Sequence, residues 1–457
     1  MEGNISAAPR ENKMGVLPVG KLLVNMAVPM MISMLFQALY NVVDSIFVAQ
    51  LSQDAMNAVS LAFPLQTLMI ALAGGTGVGM NALLSRALGE KRQEAADRIA
   101  NTGIFLYLCS FVLFCLIGLF FSRPFFAMQT GNPNIIAYGT DYTMICIGCS
   151  IGIFSQFCFE RLLQATGRTG LSMVSQLTGA IINIILDPIL IFGLFGMPRM
   201  EVAGAAVATV VGQLVAAGMG LVFNVKYNPD VHLHLKHIRW HGPTARDIYR
   251  IGIPSILMQS IGSVMTFTMN QILIGFTEAA TAVFGAYFKL QSFIFMPIFG
   301  MNNGVVPIVS YNYGARRMDR VKQTIKLAVC VSVSIMAVGL IVFLAFPHVL
   351  LGFFNPSEEM LAIGVVALRI IGMHFPIAGF CIIIVSVVQA IGNPFHSLII
   401  SVCRQLLVLL PAAWLLAQTG KLQLVWLAFP LAEIVSLALC VVFLRRTLQS
   451  TREYLGE

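Results

Sequence analysis

The chain has 457 residues, of which 58% are hydrophobic and only 11% are charged, and its mean hydropathy is +0.84. A soluble protein of this length would carry roughly twice that charged fraction. Composition therefore excludes an ordinary soluble domain and places most of the chain in a lipid bilayer. The net charge of +8 comes from Lys and Arg between the apolar runs. Membrane proteins show this distribution without a nucleic-acid partner, so we expect none.

Apolar runs of roughly 20 to 30 residues follow one another along the chain, each long enough to cross a bilayer as a helix. Six runs precede the longest polar connection and six follow it. The predicted spans are about 22–50, 55–85, 101–122, 134–159, 170–196, 201–225, 248–277, 279–309, 324–346, 360–391, 395–419 and 422–444. The predicted fold is an all-α polytopic membrane protein with twelve transmembrane helices in two six-helix bundles.

The positions of the basic residues predict the orientation. Most of the 28 Lys and Arg residues lie in connections on the same side as the N-terminus. Such residues collect in the cytoplasm, so we predict that both termini are cytoplasmic. The same reading divides the chain into an N-terminal lobe (1–225), a basic cytoplasmic linker (226–247) and a C-terminal lobe (248–457). The four histidines of this linker could bind metal, but a basic amphipathic segment on the inner headgroups fits better.

The two halves share landmarks at an offset of about 225 residues. The matched pairs are Pro29 with Pro254, Gly89–Arg92 with Gly314–Arg317, and Gln164–Gly167 with Gln389–Gly392. Each half has an even number of spans, so both face the same way. Their pseudo-twofold axis should therefore run along the membrane normal, with a central cleft between two lobes.

Six ionisable residues in or beside the predicted spans are singled out, because a charge within a membrane is costly unless it faces a cavity or a partner. They are Asp44, Glu160, Asp187, Lys289, Arg404 and Glu433. The default for Glu160 is an ion pair with the adjacent Arg161, or a headgroup contact. Arg404 and Glu433 could pair across neighbouring helices. Lys289 has no obvious acidic partner in its own half, and it could line the cleft or pair with an acid across it.

Two aspartates stand out among these residues. In span 1, four polar residues share one helical face at i, i+3, i+4 and i+7, namely Gln37, Tyr40, Asn41 and Asp44. In span 5, Asn183 lies one turn before Asp187, and Pro188 should free a backbone carbonyl near the acid. Interhelical hydrogen bonding is the alternative explanation, but two aspartates in one bundle exceed what packing requires. Their oxygens suit a proton or a hard monovalent cation, and both H⁺ and Na⁺ remain open.

A glycine run in span 2, Gly74 to Gly79, superficially resembles a phosphate loop. It follows no strand and has no suitably placed lysine, so we predict close helix packing through Gly75 and Gly79 instead. The sequence has no Walker motif and no Ser/His/Asp or metal constellation. We therefore expect neither an enzyme nor a cofactor other than a coupling ion.

Longer motifs resemble the multidrug and toxic compound extrusion (MATE) family, in particular its DinF-like branch. They are Gln37–Asp44, Asn183–Pro188, Gly204–Thr209, Leu233–Arg239, Gly252–Pro254, Gln291–Gly300 and Pro307–Gly314. The resemblance implies a MATE-like fold and an N-lobe cation site. By this resemblance the ligands of H⁺, or of Na⁺ if the transporter is sodium-coupled, are Asp44, Asn183, Asp187 and Thr209.

The resemblance also implies secondary active multidrug efflux, in which amphipathic and often cationic compounds leave in exchange for H⁺ or Na⁺ by alternating access. Candidate cavity residues are Gln37, Tyr40, Asn41, Gln259, Asn270 and Lys289. The NorM-like branch has acidic residues in its C-lobe, whereas span 7 here offers only Gln259 and Asn270, which favours N-lobe coupling.

Export of a lipid-linked saccharide or peptide, as by flippases of the same superfamily, is the alternative function. Those proteins often line the cleft with several cationic residues, and Lys289 is the lone obvious candidate here. In either case we expect a monomer in the bacterial cytoplasmic membrane that acts on small amphipathic molecules.

Overall fold

The computed structural model describes residues 12–455, and all regular secondary structure in that range is helical. The helices, named α1 to α18 in chain order, are Lys13–Val16, Val19–Ala49, Gln53–Gly89, Gln93–Ala127, Pro133–Cys146, Ile151–Ala165, Thr169–Phe192, Val202–Tyr227, Gly242–Ile274, Glu278–Gly314, Met318–Ala345, Pro347–Gly352, Glu358–Gly372, Phe375–Ala390, Pro394–Val402, Leu410–Ala417, Leu422–Val425 and Ala428–Leu455. Two 3₁₀ turns, Leu194–Gly196 and Leu235–His237, and a π-helical turn, Cys403–Leu409, complete the regular structure. Within this range ten helices are long and apolar enough to span a membrane, and two bent pairs raise the number to as many as twelve. The predicted fold is confirmed.

The bent pairs occupy equivalent places in the two halves. Helices α5 and α6 form the fourth span of the first half and meet at 41°, whereas α13 and α14 form the fourth span of the second half and meet at 49°. A side-chain hydrogen bond is duplicated as well. Ser85 donates to the carbonyl of Ala165 over 2.8 Å, and Ser310 donates to that of Ala390 over 3.0 Å. Sequence landmarks and tertiary contacts thus repeat together.

Backbone conformation repeats at the same offset. Lys91 and Arg316, which end the matched turns after spans 2 and 8, have φ values of 57° and 58°. Gly167 and Gly392, in the matched turns after spans 4 and 10, have φ values of 87° and 106°. Glycine suits such turns because it has no Cβ to clash in the left-handed region. The duplication therefore extends to individual turns.

The two lobes meet where α3 packs against α9 and where α10 packs against α2 and α3. A Cβ on Gly79 would clash with the carbonyl of Ile248, and one on Gly75 would clash with the side chain of Ile256. The backbones of α3 and α9 can approach this closely only because the interface residues lack side chains. The predicted packing role of these two glycines is confirmed.

A second glycine contact closes one end of the cleft. A Cβ on Gly89 would clash with the carbonyl of Tyr311, and a Cβ on Gly314 would clash with the carbonyl of Arg86. These two contacts exchange under the pseudo-twofold and join the C-terminal ends of α3 and α10. The lobes are therefore in direct backbone contact at the end that the basic residues predict to be cytoplasmic.

The segment Asn12–Leu17, which we call the N-terminal clasp, lies at this closed end and contacts the C-terminal lobe. Met14 is fully buried. Its carbonyl accepts hydrogen bonds from Asn312 Nδ2 (3.1 Å) and from the Arg320 guanidinium (3.1 Å), and Arg320 also donates to the carbonyl of Leu17 over 2.7 Å. The clasp thus docks on the ends of α10 and α11.

The same segment contacts the N-terminal lobe. Asn12 Nδ2 donates to the carbonyl of Thr166, in the turn between α6 and α7, over 3.0 Å and to Asp230 Oδ2 over 3.3 Å. Asp230 also pairs with Arg168. Because it binds both lobes, the clasp connects them across the closed end.

Two of the four linker histidines, His232 and His241, have separate hydrogen-bond partners, whereas the rings of the other two pack edge to face with centroids 5.4 Å apart. His232 Nδ1 lies 3.1 Å from Asp97 Oδ2, and His241 Nδ1 accepts from the backbone N–H of Thr244 to cap α9. Within residues 12–455 no group of three or more His, Cys, Asp or Glu side chains could hold a metal ion.

Candidate functional site

A cavity of about 320 Å³ lies inside the N-terminal lobe between α2, α3, α5, α6, α7 and α8. Most of its polar wall consists of amides and hydroxyls. Within residues 12–455 the complete polar lining, in which Asp44 is the one acid, is Ser33, Gln37, Tyr40, Asn41, Asp44, Ser45, Gln66, Tyr142, Gln156, Gln176, Asn183, Thr209 and Gln213. The predicted face of span 1 thus forms one wall, and the carboxyl group of Asp44 is its acid.

The two predicted aspartates meet beside this cavity, which Asp44 lines and Asp187 does not. Asp187 on α7 is fully buried, Asp44 on α2 is partly buried, and their carboxyl groups lie within hydrogen-bond reach of each other. Oδ1 of each residue is buried and receives no hydrogen bond from a donor in residues 12–455. Ionised carboxylates only accept hydrogen bonds, so a contact between two of them needs a shared proton or a cation.

Asn183 links this pair to α8. In the amide orientation that satisfies its neighbours, Asn183 Nδ2 donates to Asp187 Oδ2 over 3.1 Å. Its Oδ1 then accepts from the backbone N–H of Thr209 over 3.0 Å and lies 3.0 Å from the Thr209 hydroxyl. All four residues predicted to bind the cation are therefore adjacent in the structure.

Local sequence explains this geometry. Gly179 on α7 and Gly212 on α8 bring the two backbones together, since a Cβ on either would lie within 2.7 Å of the other's carbonyl oxygen. Asn183 follows Gly179 by one turn and so reaches Thr209. Pro188 lies inside α7 and cannot donate to the carbonyl of Ile184, which leaves that acceptor free one turn from Asp187.

Two amide side chains of the cavity, Gln66 and Gln176, were not predicted from the sequence. Gln176 Nε2 donates to Gln37 Oε1 over 3.3 Å and so connects α7 to α2. Gln66 Nε2 donates to the Tyr142 hydroxyl over 3.1 Å and connects α3 to α5. The signal that could have found them is a glutamine within an apolar run, which lipid also disfavours.

A larger cavity of about 1240 Å³ lies against the C-terminal lobe, between α9, α10, α14, α18, the π-helical turn and α3. Gln259 and Asn270 line this cavity rather than the N-lobe cavity. Phe63 lines both cavities, so they are neighbouring parts of one cleft. Lys289 lines neither. Its side chain is exposed, and its ammonium group lies 5.9 Å from the ring centroid of Phe354.

Of the two ion pairs predicted between the other intramembrane charges, one forms and one does not. Arg404 and Glu433 form the predicted ion pair, with Nη1 and Oε1 3.5 Å apart. The predicted ion pair of Glu160 with Arg161 is wrong. Within residues 12–455, Glu160 accepts a hydrogen bond from Gln156 Nε2 over 2.9 Å. Arg161 instead donates across the lobe interface to Asn303 Oδ1 over 2.9 Å.

Known proteins resemble the chain over nearly its whole length. The multidrug export protein MepA of Staphylococcus haemolyticus is 27% identical over 427 residues, which cover 93% of each chain. The FAD transporter of Shewanella oneidensis is 25% identical over 430 residues, which cover 94% of this chain and 95% of that one. A solved structure of a MATE protein in a straight conformation has a TM-score of 0.91 and 25% identity, with 98% of this chain and 100% of that one covered.

A solved structure of a multidrug resistance MATE transporter in an outward-facing conformation shares the fold. Its TM-score is 0.92 at 24% identity, with 98% of this chain and 100% of that one covered. The MatE family model matches this chain twice, over residues 29–189 and 254–415. The two matches begin 225 residues apart, which is the offset of the internal repeat. The chain therefore belongs to the MatE family of multi-pass membrane transporters of small molecules, and it is not an enzyme.

Proposed function

We propose that the chain exports amphipathic organic compounds, including cationic ones, across the bacterial cytoplasmic membrane in exchange for H⁺ or Na⁺. The carboxyl–carboxyl contact of Asp44 with Asp187, beside a cavity next to a larger cleft, is the observation that carries the proposal. Relatives named as multidrug export proteins support the class of cargo. The chain works as a monomer within the bilayer and binds no nucleic acid.

Coupling follows from the charge of the aspartate pair. With one proton shared, the two carboxyl groups attract each other and hold α2 against α7. When that proton leaves, two negative charges face each other in a poorly hydrated site, and a cationic substrate or helix movement must relieve the repulsion. Because proton and substrate favour different states, exchange of one for the other drives the cycle.

Of the two candidate cations, H⁺ requires less rearrangement of the side chains around the aspartate pair than Na⁺ does. Asn183 directs its N–H₂ group toward Asp187 in the orientation that satisfies both neighbours. A bound Na⁺ prefers oxygen ligands, so it would require this amide to rotate and present its carbonyl oxygen. The unpaired Oδ1 atoms of Asp44 and Asp187, together with the Thr209 hydroxyl, would supply the other oxygen ligands.

The cleft suits amphipathic cargo because apolar side chains surround a few polar groups. Its larger part contains many aromatic and methionine side chains, which adapt to ligands of different shapes. We place the cycle in an alternating-access scheme, in which the contacts of the clasp and of Gly89 and Gly314 close the cytoplasmic end. Opening that end requires these contacts to break.

Flippase activity on lipid-linked saccharides or peptides remains the alternative. Lys289, the residue on which that reading depended, lines neither cavity. Because one relative is named an FAD transporter, FAD belongs in the panel of tested cargoes.

Expression in a drug-sensitive bacterial host tests the proposed function. The parent chain is expected to protect the host against cationic dyes and to lower their accumulation in the cell. A variant with Asp44→Asn and Asp187→Asn, present in the membrane at the parent's level, is expected to give no protection. Equal protection by both proteins would reject the assigned coupling site, and no protection by either would reject drug efflux.

A further inference from the structure

The larger cavity, against the C-terminal lobe, contains an ion pair that is not part of the proposed coupling site. Its volume of about 1240 Å³ is several times that of the N-lobe cavity. This volume is sufficient for a drug-sized ligand. Rings of both lobes face it. Phe63 on α3 is 65% exposed and Phe267 on α9 is 67% exposed, and both line the cavity. Flat aromatic ligands therefore have ring faces available for stacking.

Arg404 and Glu433 stand together in the wall of this cavity. The Arg404 side chain is 26% exposed, whereas that of Glu433 is only 6% exposed. Within residues 12–455 the pair is an ion pair at 3.5 Å without a hydrogen bond, and the buried Oε1 of Glu433 receives no donor. A guanidinium has five N–H donors, so both partners retain hydrogen-bonding capacity that the pair itself does not use.

The local backbone explains how Arg404 reaches the cavity. Residues Cys403–Leu409 form a π-helical turn between α15 and α16, a rare feature that is frequent at functional sites. Pro411 follows this turn near the start of α16. Proline has no N–H to donate to the carbonyl four residues earlier, so a wider turn replaces the regular helix there. Both Arg404 and Gln405 line the cavity as a result.

We propose that Arg404 and Glu433 bind zwitterionic aromatic compounds, with the ligand's carboxylate on Arg404 and its cationic nitrogen on Glu433. A ligand with a single charge would satisfy one partner and leave the other unpaired in a poorly hydrated wall, which is costly. A zwitterion instead replaces one loose ion pair by two and leaves the charge of the wall unchanged. Arginine suits the first role because its planar fork matches a carboxylate.

The ring environment favours aromatic members of this class. His374 and Phe429 stack in the same wall, with ring centroids 6.0 Å apart and planes inclined by 29°. A planar ligand can therefore lie against rings while its charged groups reach the ion pair. This proposal rests on the proposed function, because it names the cargo class that one part of the cleft selects.

Two dyes that differ in a single group provide the test. Rhodamine 110 is a zwitterion with a free carboxylate, and rhodamine 123 is its methyl ester, with the same rings and only the positive charge. Binding of each dye to the purified full chain in lipid nanodiscs is measured by fluorescence anisotropy. The variant Arg404→Gln with Glu433→Gln removes both charges but keeps two groups that can hydrogen-bond to each other.

In this double variant we expect the Kd of rhodamine 110 to rise at least about tenfold, the effect of losing one charge-assisted hydrogen bond. The Kd of rhodamine 123 is expected to change less than about threefold. Arg404→Lys keeps the ion pair, and hence the fold, but lacks the planar fork. This variant should bind rhodamine 110 several-fold more weakly than the parent and should bind rhodamine 123 with an unchanged Kd.

Equal changes for both dyes, or no change for rhodamine 110 in either variant, would overturn the proposal. Fluorescein, an anion with similar rings, separates zwitterion from anion recognition, and binding as tight as that of rhodamine 110 would also overturn it. Failure of the proposed function has a different signature. In that case the parent does not export rhodamine 123 from cells, whatever the binding data for Arg404 show.

Discussion

The carboxyl groups of Asp44 and Asp187, 143 positions apart in the chain, lie within hydrogen-bond reach of each other inside one lobe. Each has an Oδ1 atom that receives no hydrogen bond from residues 12–455. Packing alone does not explain two acids placed in this way, because each would be more stable with a donor or cation. This arrangement supports the proposal that the pair holds the coupling cation.

Replacing both acids, Asp44→Asn with Asp187→Asn, should remove the pH dependence that this site gives to substrate binding. If H⁺ and a cationic dye compete for the pair, the parent binds dye more tightly as pH rises from about 5 to about 9, because deprotonation frees the site. Neither amide can ionise, so the double variant is expected to bind dye weakly and equally across this range. Fluorescence anisotropy of rhodamine 123 with the purified chain measures the difference.

Asp141→Asn is the matched control for this prediction, since Asp141 is exposed on α5 and lies outside the cavity. It should follow the parent at every pH. A parent whose dye affinity does not change with pH or with Na⁺ would contradict competition at the aspartate pair.

Thr209→Ala should weaken the support of Asn183 without removing an acid. The Thr209 hydroxyl lies 3.0 Å from the Asn183 side chain, and loss of one such hydrogen bond costs about 1 kcal/mol. We expect the concentration of the coupling cation needed for half-maximal transport to rise about fivefold. Thr178→Ala is the control, because the one hydrogen bond of the Thr178 side chain within residues 12–455 goes to its own helix, at the carbonyl of Val174. Identical shifts in both variants would count against a role for Thr209.

Arg320→Ala should favour opening of the closed end. Arg320 donates to the carbonyls of Met14 and Leu17, so its loss removes two hydrogen bonds between the clasp and α11. Spin labels at Glu94 and Asp319, which are exposed at the starts of α4 and α11, report the separation of the lobes in a cysteine-free background. We expect a larger population at long distance in the variant.

Lys322→Ala controls for the loss of a positive charge from the same helix, because Lys322 is exposed. Its distance distribution should match that of the parent. If Arg320→Ala and Lys322→Ala give the same distribution, the clasp does not hold the lobes together.

Gly79→Ala should destabilise the contact between the lobes. Its Cβ would clash with the carbonyl of Ile248, and such overpacking costs about 1–3 kcal/mol. Gly218→Ala on α8 is the control, since nothing lies within 4 Å of its added Cβ. Thermal unfolding in detergent should give a lower midpoint for Gly79→Ala and an equal or higher midpoint for Gly218→Ala. The reverse order would contradict the described packing of α3 on α9.

Much of the architecture could be predicted because membrane spans and internal repeats leave strong signals in apolar length and in matched landmarks. The aspartate pair was also predictable, since acids are rare within spans. The ion pair of Glu160 with Arg161 was wrong for a physical reason. Consecutive residues on a helix point in different directions, so sequence neighbours do not face each other.

Other features depend on contacts that no local pattern reveals. The clasp includes a helix of only four residues, and its carbonyls meet Asn312 and Arg320 about 300 positions later in the chain. Lys289 lies near the ring of Phe354, which belongs to the turn after α12, 65 positions later in the chain. Pro411 indicates an irregular helix near the π-helical turn. That Arg404 lines the larger cavity follows only once the neighbouring helices are in place.

The most direct test of the central claim is dye export from proteoliposomes under an imposed pH gradient or an imposed Na⁺ gradient. The parent is expected to move rhodamine 123 against its gradient when at least one cation flows inward in exchange. The variant with Asp44→Asn and Asp187→Asn should show no export driven by either cation. Gradient-driven export by this variant at the parent's rate would contradict the assignment of coupling to Asp44 and Asp187.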